Sequence, residues 1–276
     1  MTNRFNLFLF LSLVLLMASC KKSGSGNNTS SNDYYVSSES LYSYPTRVVD
    51  SFTYDNTHRL TVFAQYKYDT TSGSPQSDGL ITTFSYSGSS QVPASYTLTQ
   101  LSNGPAGDVH QLSYDGQKRI IKDTSVSGSG YVNYFSYPGS NIVSRLLFDG
   151  TAADDQVDTV FFTNGNVTSQ HIYYPNDAGT ADSLSGSPGY GYSTSVNPLY
   201  HSGIAGTTGV LLNLLAYDGF GGSVDFLSAN ALNMASNLGD GLPPGTVLNF
   251  TVVPDSKGRV VLLTLGGVFN ISFNYY

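Results

Sequence analysis

Short runs of aromatic and β-branched residues alternate with tight turn sequences along most of this chain, and this alternation is the feature that most constrains its fold. The pattern begins at "TRVVDSFTY" (Thr46–Tyr54), turns at "DNTH" and resumes at "RLTVFAQYKYD" (Arg59–Asp69). Such short links join antiparallel strands, because parallel strands need a long crossover connection. The sequence therefore predicts an antiparallel meander.

Eight further runs continue the series and are predicted as strands from their alternation and their residue types. They are Leu80–Ser87, Val92–Leu101, Val109–Asp115, Lys118–Val126, Tyr131–Tyr137, Asn141–Asp149, Gln156–Thr163 and Asn166–Tyr174. Asn164-Gly165 is the strongest hairpin signal, since both residues tolerate a positive φ. Strands return at Thr246–Asp255, Arg259–Leu265 and Val268–Tyr276.

The segment between these two groups has a different texture. Pro175–Pro198 is rich in turn residues and is predicted as a long loop. Apolar spacing compatible with helix predicts short helices at Gly203–Leu215 and Ser228–Leu238, a helical insert over about 203–238. The predicted fold class is all-β with minor α: an antiparallel meander curved into a closed or half-open barrel, with a short helical plug or lid.

The N-terminus has the layout of a bacterial lipoprotein signal. Arg4 precedes an apolar run over Phe5–Ala18, which is too short to span a membrane. Small residues then precede Cys20, the only cysteine, at the position where such a signal is cut and lipidated. We expect a signal peptide at 1–19, a flexible polar tether at 20–33 and one β domain at 34–276.

One short motif recurs within the predicted strands. Tyr54, Asp55 and Arg59 in "FTYDNTHRL" have the same spacing as Tyr114, Asp115 and Arg119 in "LSYDGQKRI". Each copy joins a strand end, a turn and a strand start, with the tyrosine packing across strands and the aspartate capping the turn. We interpret these six residues as structural.

This motif resembles the tyrosine–aspartate (YD, or RHS-type) repeat, whose consensus is roughly Tyr-Asp-x-x-Gly-Arg-Leu. The consensus glycine is replaced by His58 in one copy and by Lys118 in the other.

The whole layout is similar to a family of bacterial lipoproteins of unknown function with a porin-like fold. The similarity rests on Cys20, the strand pairs, Asn197-Pro198-Leu199-Tyr200 and the closing strands that end in Tyr276. It implies a porin-like barrel at the outer membrane and implies no activity.

Motifs for catalysis or metal binding are missing from the sequence. The four histidines are scattered, and no zinc motif, calcium loop or nucleophile elbow occurs. With a single Glu, a paired-carboxylate glycosidase would need Glu39 with an aspartate, or two aspartates. We therefore expect no catalytic residues, no metal and no cofactor.

The expected partners follow from charge and composition. The formal net charge of −7 becomes −8 when Arg4 leaves with residues 1–19, which disfavours nucleic acid. We expect a monomer held at the outer membrane by its lipid, on the periplasmic rather than the outer face. Three functions stay open. The first in rank is a non-enzymatic binding or scaffold lipoprotein of the cell envelope with an unknown ligand, which could be a glycan, a peptide or an apolar molecule. The second is a carrier of an apolar ligand, and the last is a glycan-acting enzyme.

Overall fold

The computed structural model describes residues 35–43, 46–73, 79–103, 107–127, 130, 132–147, 156–175, 182–186, 188–201, 227–236, 245–266 and 269–276. Cys20, the predicted tether and the predicted helix at 203–215 lie outside the described residues.

The described chain is almost entirely strand. Its elements are β1 Val36–Ser43, β2 Thr46–Tyr54, β3 Leu60–Asp69, β4 Leu80–Ser85, β5 Ser95–Gln100, a 3-10 turn Leu101–Asn103, β6 Asp108–Tyr114, β7 Ile120–Ser127, β8 Val132–Ser136, β9 Ile142–Leu147, β10 Gln156–Thr163, β11 Asn166–Pro175, β12 Asp182–Gly186, β13 Gly189–Val196, α1 Pro198–His201, β14 Asn230–Ser236, β15 Val247–Asn249, β16 Thr251–Pro254, β17 Val260–Leu265 and β18 Phe269–Tyr275.

The strands form one antiparallel sheet that returns on itself. Strands β1 to β11 pair in sequence order, and β11 pairs with both β12 and β13. β15 and β16 flank Phe250, whose N–H donates to the carbonyl of Asn233 in β14. The last strand, β18, pairs with β17 and with β1, which also pairs with β2. The result is a nearly closed barrel, which confirms the predicted fold class.

The two faces of the barrel wall differ in chemistry. The inward face carries mainly buried aromatic and aliphatic side chains, so the strands alternate with period 2. Examples are Val48, Phe52, Phe63, Phe84, Ile120, Phe135, Ile271 and Phe273. Some polar side chains are also buried, among them Glu39, Asp50, Gln65, His110 and Asp123. The outward face carries mainly polar side chains at exposed positions, among them Thr53, Thr83, Ser85, Gln111, Ser113, Ser136 and Asn274, with a few larger side chains such as Ile121, Val126 and Tyr134.

Two predicted elements were wrong. Within the predicted loop Pro175–Pro198, the structure has strands β12 and β13. Within the predicted helix Ser228–Leu238, residues 230–236 form strand β14. Strand β1 was not predicted at all, because its "VSSESLYS" sequence carries few β-branched residues.

Candidate functional site

The repeated motif forms three hairpin turns of the same design. In the first, Asp55 Oδ1 accepts hydrogen bonds from the N–H groups of Thr57 and Arg59, at 2.8 and 3.0 Å. Asp55 Oδ2 accepts from Arg59 Nε at 2.7 Å. The backbone adds a bond from Asp55 N–H to the carbonyl of Arg59. One aspartate thus closes the turn and holds the arginine at its far end.

The second and third copies repeat these bonds. Asp115 accepts from the N–H groups of Gln117 and Arg119 and from Arg119 Nε at 2.7 Å. Asp255 accepts in the same way from Lys257 and Arg259, with Nε at 2.8 Å. We call Asp55–Leu60, Asp115–Ile120 and Asp255–Val260 the repeat turns. Sequence reasoning missed the third, although its "DSKGRV" carries the consensus glycine.

The residue before each arginine has a left-handed backbone. φ is 63° at His58, 62° at Lys118 and 78° at Gly258. Glycine adopts this conformation without steric cost, which explains the glycine in the repeat consensus. The first two copies place larger side chains in the same conformation.

Each repeat-turn arginine lies over a tyrosine ring. The guanidinium carbons of Arg59, Arg119 and Arg259 lie 4.6, 4.3 and 4.3 Å from the ring centroids of Tyr86, Tyr137 and Tyr275. Each of these phenols donates to the carbonyl of the buried aliphatic residue that follows the arginine, at 2.7 Å in all three cases. The arginine is therefore held by an aspartate on one side and a ring on the other.

Tyr54 and Tyr114, at the ends of β2 and β6, also bond backbone carbonyls through their phenol hydroxyls. Their hydroxyls donate to the carbonyls of Val36 and Pro93, which lie at or just before the start of a neighbouring strand. Because strand direction alternates around the barrel, all these contacts lie at one edge, which we call the rim. All six motif residues named from the sequence lie there, in two separate hairpins.

Burial and hydrogen bonding shift several pKa values at the rim. Burial raises the pKa of Tyr86 to about 12 and that of Tyr137 to about 12, and it raises the pKa of Tyr114 as well. The backbone N–H groups of Arg59 and Arg119 hold the pKa values of Asp55 and Asp115 below their usual range. The tyrosines bond neighbouring strands and the aspartates bond their own turns, an arrangement that fits a structural role for the rim.

A polar cluster lies inside the barrel wall and was missed by sequence reasoning. Tyr96 Oη donates to Asp123 Oδ2 at 2.6 Å, and His110 Nδ1 lies 2.9 Å from Asp123 Oδ1. Asp108 Oδ2 lies 3.3 Å from His110 Nε2. The Tyr96, His110 and Asp123 side chains are almost fully buried. The cluster therefore ties β5, β6 and β7 together beyond the reach of a solute.

Glu39 and Asp50 are the carboxylate pair that a glycosidase hypothesis would use. They are cross-strand neighbours on β1 and β2, and both are buried. Gln65 Nε2 donates to Asp50 Oδ1 at 3.0 Å. Their register places them on the inward face with Phe273, away from the outer surface.

The outer surface carries a groove of about 400 Å³ across β18, β1, β2 and β3. We call it the outer groove. It lies near the barrel edge opposite the rim. It is lined by Ser40, Tyr42, Arg47, Tyr68, Asp69, Thr70, Gly73, Asn270 and Ser272. Tyr42, Arg47 and Tyr68 lie at strand positions whose side chains face outward. Sequence reasoning did not find this set.

Register brings the groove residues into one row. Asn270 pairs with Tyr42, Tyr42 with Arg47, and Arg47 with Tyr68. Arg47 Nη2 donates to Ser40 Oγ at 3.1 Å. The backbone N–H of Thr71 donates to Asp69 Oδ1 and helps to hold the pKa of Asp69 below its usual value. The groove therefore presents two aromatic rings, one cation, one carboxylate and several neutral hydrogen-bonding groups.

Comparison with solved structures supports the fold. The chain is similar to a porin-like protein from Bacteroides uniformis ATCC 8492, with 14% identity, a TM-score of 0.51 and coverage of 88% of this chain and 98% of that one. A porin-like protein from Bacteroides vulgatus ATCC 8482 has 13% identity and a TM-score of 0.48, with the same coverage. No family model and no curated protein matches the sequence.

No group of three or more histidine, cysteine, aspartate or glutamate side chains in the described ranges is arranged to hold a metal ion. None of the helices that the structure describes is long and apolar enough to cross a membrane.

Proposed function

We propose that this protein is a non-enzymatic binding lipoprotein of the cell envelope, whose barrel binds its ligand on the outer wall. The observation that carries the proposal is the chemistry of the wall. Most of its buried inward side chains are aromatic or aliphatic, and most of its exposed outward side chains are polar, with only scattered larger apolar residues such as Ile121 and Val126. A strand barrel in contact with lipid has the reverse arrangement, with an apolar band facing outward.

Attachment through a lipid fits this polar wall. "LMASC" places Cys20 where a lipoprotein is cut and acylated, and the polar stretch after it would hold the barrel away from the membrane. Several acyl chains on one cysteine give a firm anchor, because each buried methylene contributes about 0.8 kcal/mol. "CKKSGSG" has no aspartate directly after Cys20, so we propose outer-membrane residence, on the periplasmic face.

The packed interior favours binding on the wall over the two other hypotheses. A carrier of an apolar ligand needs an open apolar cavity, whereas inward residues such as Phe52, Phe63 and Phe135 are buried in one apolar core cluster. A glycan-acting enzyme needs two carboxylates in a cleft, whereas Glu39 and Asp50 lie on the buried inward face. Among the described residues, the outer groove is a place where a ligand has access.

The test is acylation and fractionation of the full chain in a Gram-negative host. We expect labelled palmitate in the protein and recovery with outer membranes, and we expect both to be lost in Cys20→Ser. Protease added to intact cells should leave the barrel uncut. An unlabelled Cys20 protein that fractionates with soluble proteins would overturn the anchor, and cleavage on intact cells would overturn the periplasmic face.

A further inference from the structure

We propose that the outer groove binds an acidic saccharide, a sugar chain that carries carboxylate groups. This inference rests on the proposed binding function and names its ligand class. The charge, the aromatic rings and the strand pairing of the groove all favour such a ligand.

The charge of Arg47 is the first argument. Arg59, Arg119 and Arg259 each form an ion pair with an aspartate of their own turn. Arg47 forms no ion pair within the described ranges, and its one hydrogen bond goes to the neutral Ser40 hydroxyl. It is also exposed on the outer wall. A guanidinium has five donors in a planar fork that matches a carboxylate, so Arg47 is equipped to bind one from solution.

The aromatic rings are the second argument. Tyr42 and Tyr68 stand on either side of Arg47 in the cross-strand row, on β1 and β3. The Tyr42 side chain is 36% exposed. A tyrosine offers a flat apolar ring with a polar tip, which suits a ligand that has apolar C–H faces and a hydroxylated edge. Sugar rings have this character.

The remaining polar groups suit hydroxyls. Asn270 and Ser272 on β18 line one side of the groove, and Asp69 lines the other. Asp69 is held ionised by its turn hydrogen bonds, so it accepts bonds from hydroxyl groups and repels a second carboxylate. The ligand is thereby oriented, with its carboxylate at Arg47 and its hydroxyls towards Asp69.

Strand pairing argues against an extended peptide in the groove. An extended peptide that adds to a sheet gains its main-chain hydrogen bonds by pairing with a free strand edge. The strands beneath the groove are already paired on both sides: β18 with β17 and β1, β1 with β18 and β2, β2 with β1 and β3, and β3 with β2 and β4. The groove therefore offers side chains alone, which a saccharide can use.

The test is calorimetric titration of the purified full chain with three probes: tetragalacturonate, its fully methyl-esterified form, and tetraglutamate. We expect tetragalacturonate to bind at least tenfold more tightly than either of the others. Arg47→Gln should weaken tetragalacturonate binding at least tenfold and abolish the preference over the ester. Tyr68→Ala should weaken binding of both saccharides at least fivefold.

Matched controls lie elsewhere on the outer wall. Lys122 lies 5.5 Å from the ring centroid of Tyr134, which is exposed and far in sequence from the groove residues. Lys122→Gln and Tyr134→Ala should leave binding unchanged. Thermal melts of each variant check that it is folded.

Three results would overturn the inference: equal binding of acid and ester, tighter binding of tetraglutamate, or no binding of any probe by the folded barrel. Each of these leaves the acylation and fractionation result of the full chain standing, so failure of the ligand class and failure of the envelope function are distinguishable.

Discussion

At the residue scale, the repeat turns explain why the same few residue types recur. The aspartate satisfies two backbone N–H groups and one guanidinium, the arginine covers a tyrosine ring, and the residue between them adopts a left-handed backbone. Of these three features, only the left-handed backbone restricts the residue type through steric clashes. At that position the three copies carry different residues. The difference offers a direct test of the design.

The first prediction compares Lys118→Gly with Gly258→Ala. Lys118 has a φ of 62°, where a side chain costs about 1–2 kcal/mol, so glycine should stabilise the protein by up to about 1 kcal/mol. Gly258 has a φ of 78° and open space around it, so alanine should destabilise by about 1 kcal/mol from backbone strain alone. Urea unfolding measures both changes. Opposite signs from those expected would show that side-chain contacts, and not the backbone, decide these positions.

At the element scale, the sequence predicted those strands best that follow an uninterrupted alternation. The predicted Thr46–Tyr54 and Gln156–Thr163 are strands with the same bounds. Strand β14 was mistaken for a helix because its register shifts against β13, so Ala231, Leu232 and Ala235 are the buried positions. A bulge adds a residue to one strand and changes period 2 into a helix-like spacing, which sequence alone does not reveal.

The glycines of β13 explain the other error at this scale. A Cβ at Gly191 would lie 3.1 Å from Met234 Cβ, and one at Gly189 would lie 3.0 Å from Ser236 Oγ. These glycines allow close approach of β14, whereas glycine in a polar stretch of sequence favours a turn. The outer groove could not be predicted from the sequence either, because its residues are far apart along the chain. Its row joins Asn270 to residues near the N-terminus, and only the β1–β18 pairing brings them together.

The second prediction concerns the rim tyrosines, which join neighbouring hairpins through their phenol hydrogens. Burial raises the pKa values of Tyr86 and Tyr137 to about 12, against about 10 for an unfolded tyrosine. The folded state therefore binds more protons between these values, so stability should fall as the pH rises from 10 through 12. Two pH units correspond to about 2.7 kcal/mol, and partial exposure reduces this to about 1–2 kcal/mol for each tyrosine.

Urea unfolding at several alkaline pH values measures this loss. Tyr86→Phe removes the titrating group and the bond to Leu60, so it should lower stability at pH 8 and make the alkaline decline shallower. Tyr134→Phe, at an exposed ring of the outer wall, is the control for loss of a hydroxyl. A decline that is as steep in Tyr86→Phe as in the parent would contradict the role assigned to Tyr86.

At the scale of the whole molecule, the barrel closes through the two ends of the domain. β1 pairs with β18 over most of its length, Tyr276 N–H donates to the carbonyl of Tyr35, and Tyr276 Oη donates to the carbonyl of Phe52 at 2.7 Å. These contacts close the largest loop in the chain, so they are costly in chain entropy and are expected to form late in folding. We call the β1–β18 pairing the seam.

The third prediction is that a disulfide across the seam stabilises the barrel strongly. Ser38 and Asn274 are paired across it, and Asn274 Nδ2 donates to Ser38 Oγ at 2.9 Å, so their side chains meet. In a Cys20→Ser background, S38C/N274C would close a loop between positions 236 residues apart. The matched control is T83C/T97C, an outward pair within the β4–β5 hairpin. Loop-closure entropy predicts that the seam disulfide stabilises by about 2–3 kcal/mol more than the hairpin disulfide.

Oxidised and reduced forms of both variants, compared by urea unfolding with bond formation checked by mass, measure this difference. The hairpin variant shows whether an outward cross-strand pair of this wall can form a disulfide at all. If it can, failure of the seam disulfide means that β1 and β18 are not paired, and does not merely reflect poor geometry for the bond. If the hairpin bond forms in the folded protein and the seam bond does not, β1 and β18 are not held together in solution. The outer groove depends on the same pairing, since Asn270 and Ser272 reach it only across the seam. A seam disulfide that forms and stabilises the barrel should therefore also preserve tetragalacturonate binding at urea concentrations that unfold the reduced form.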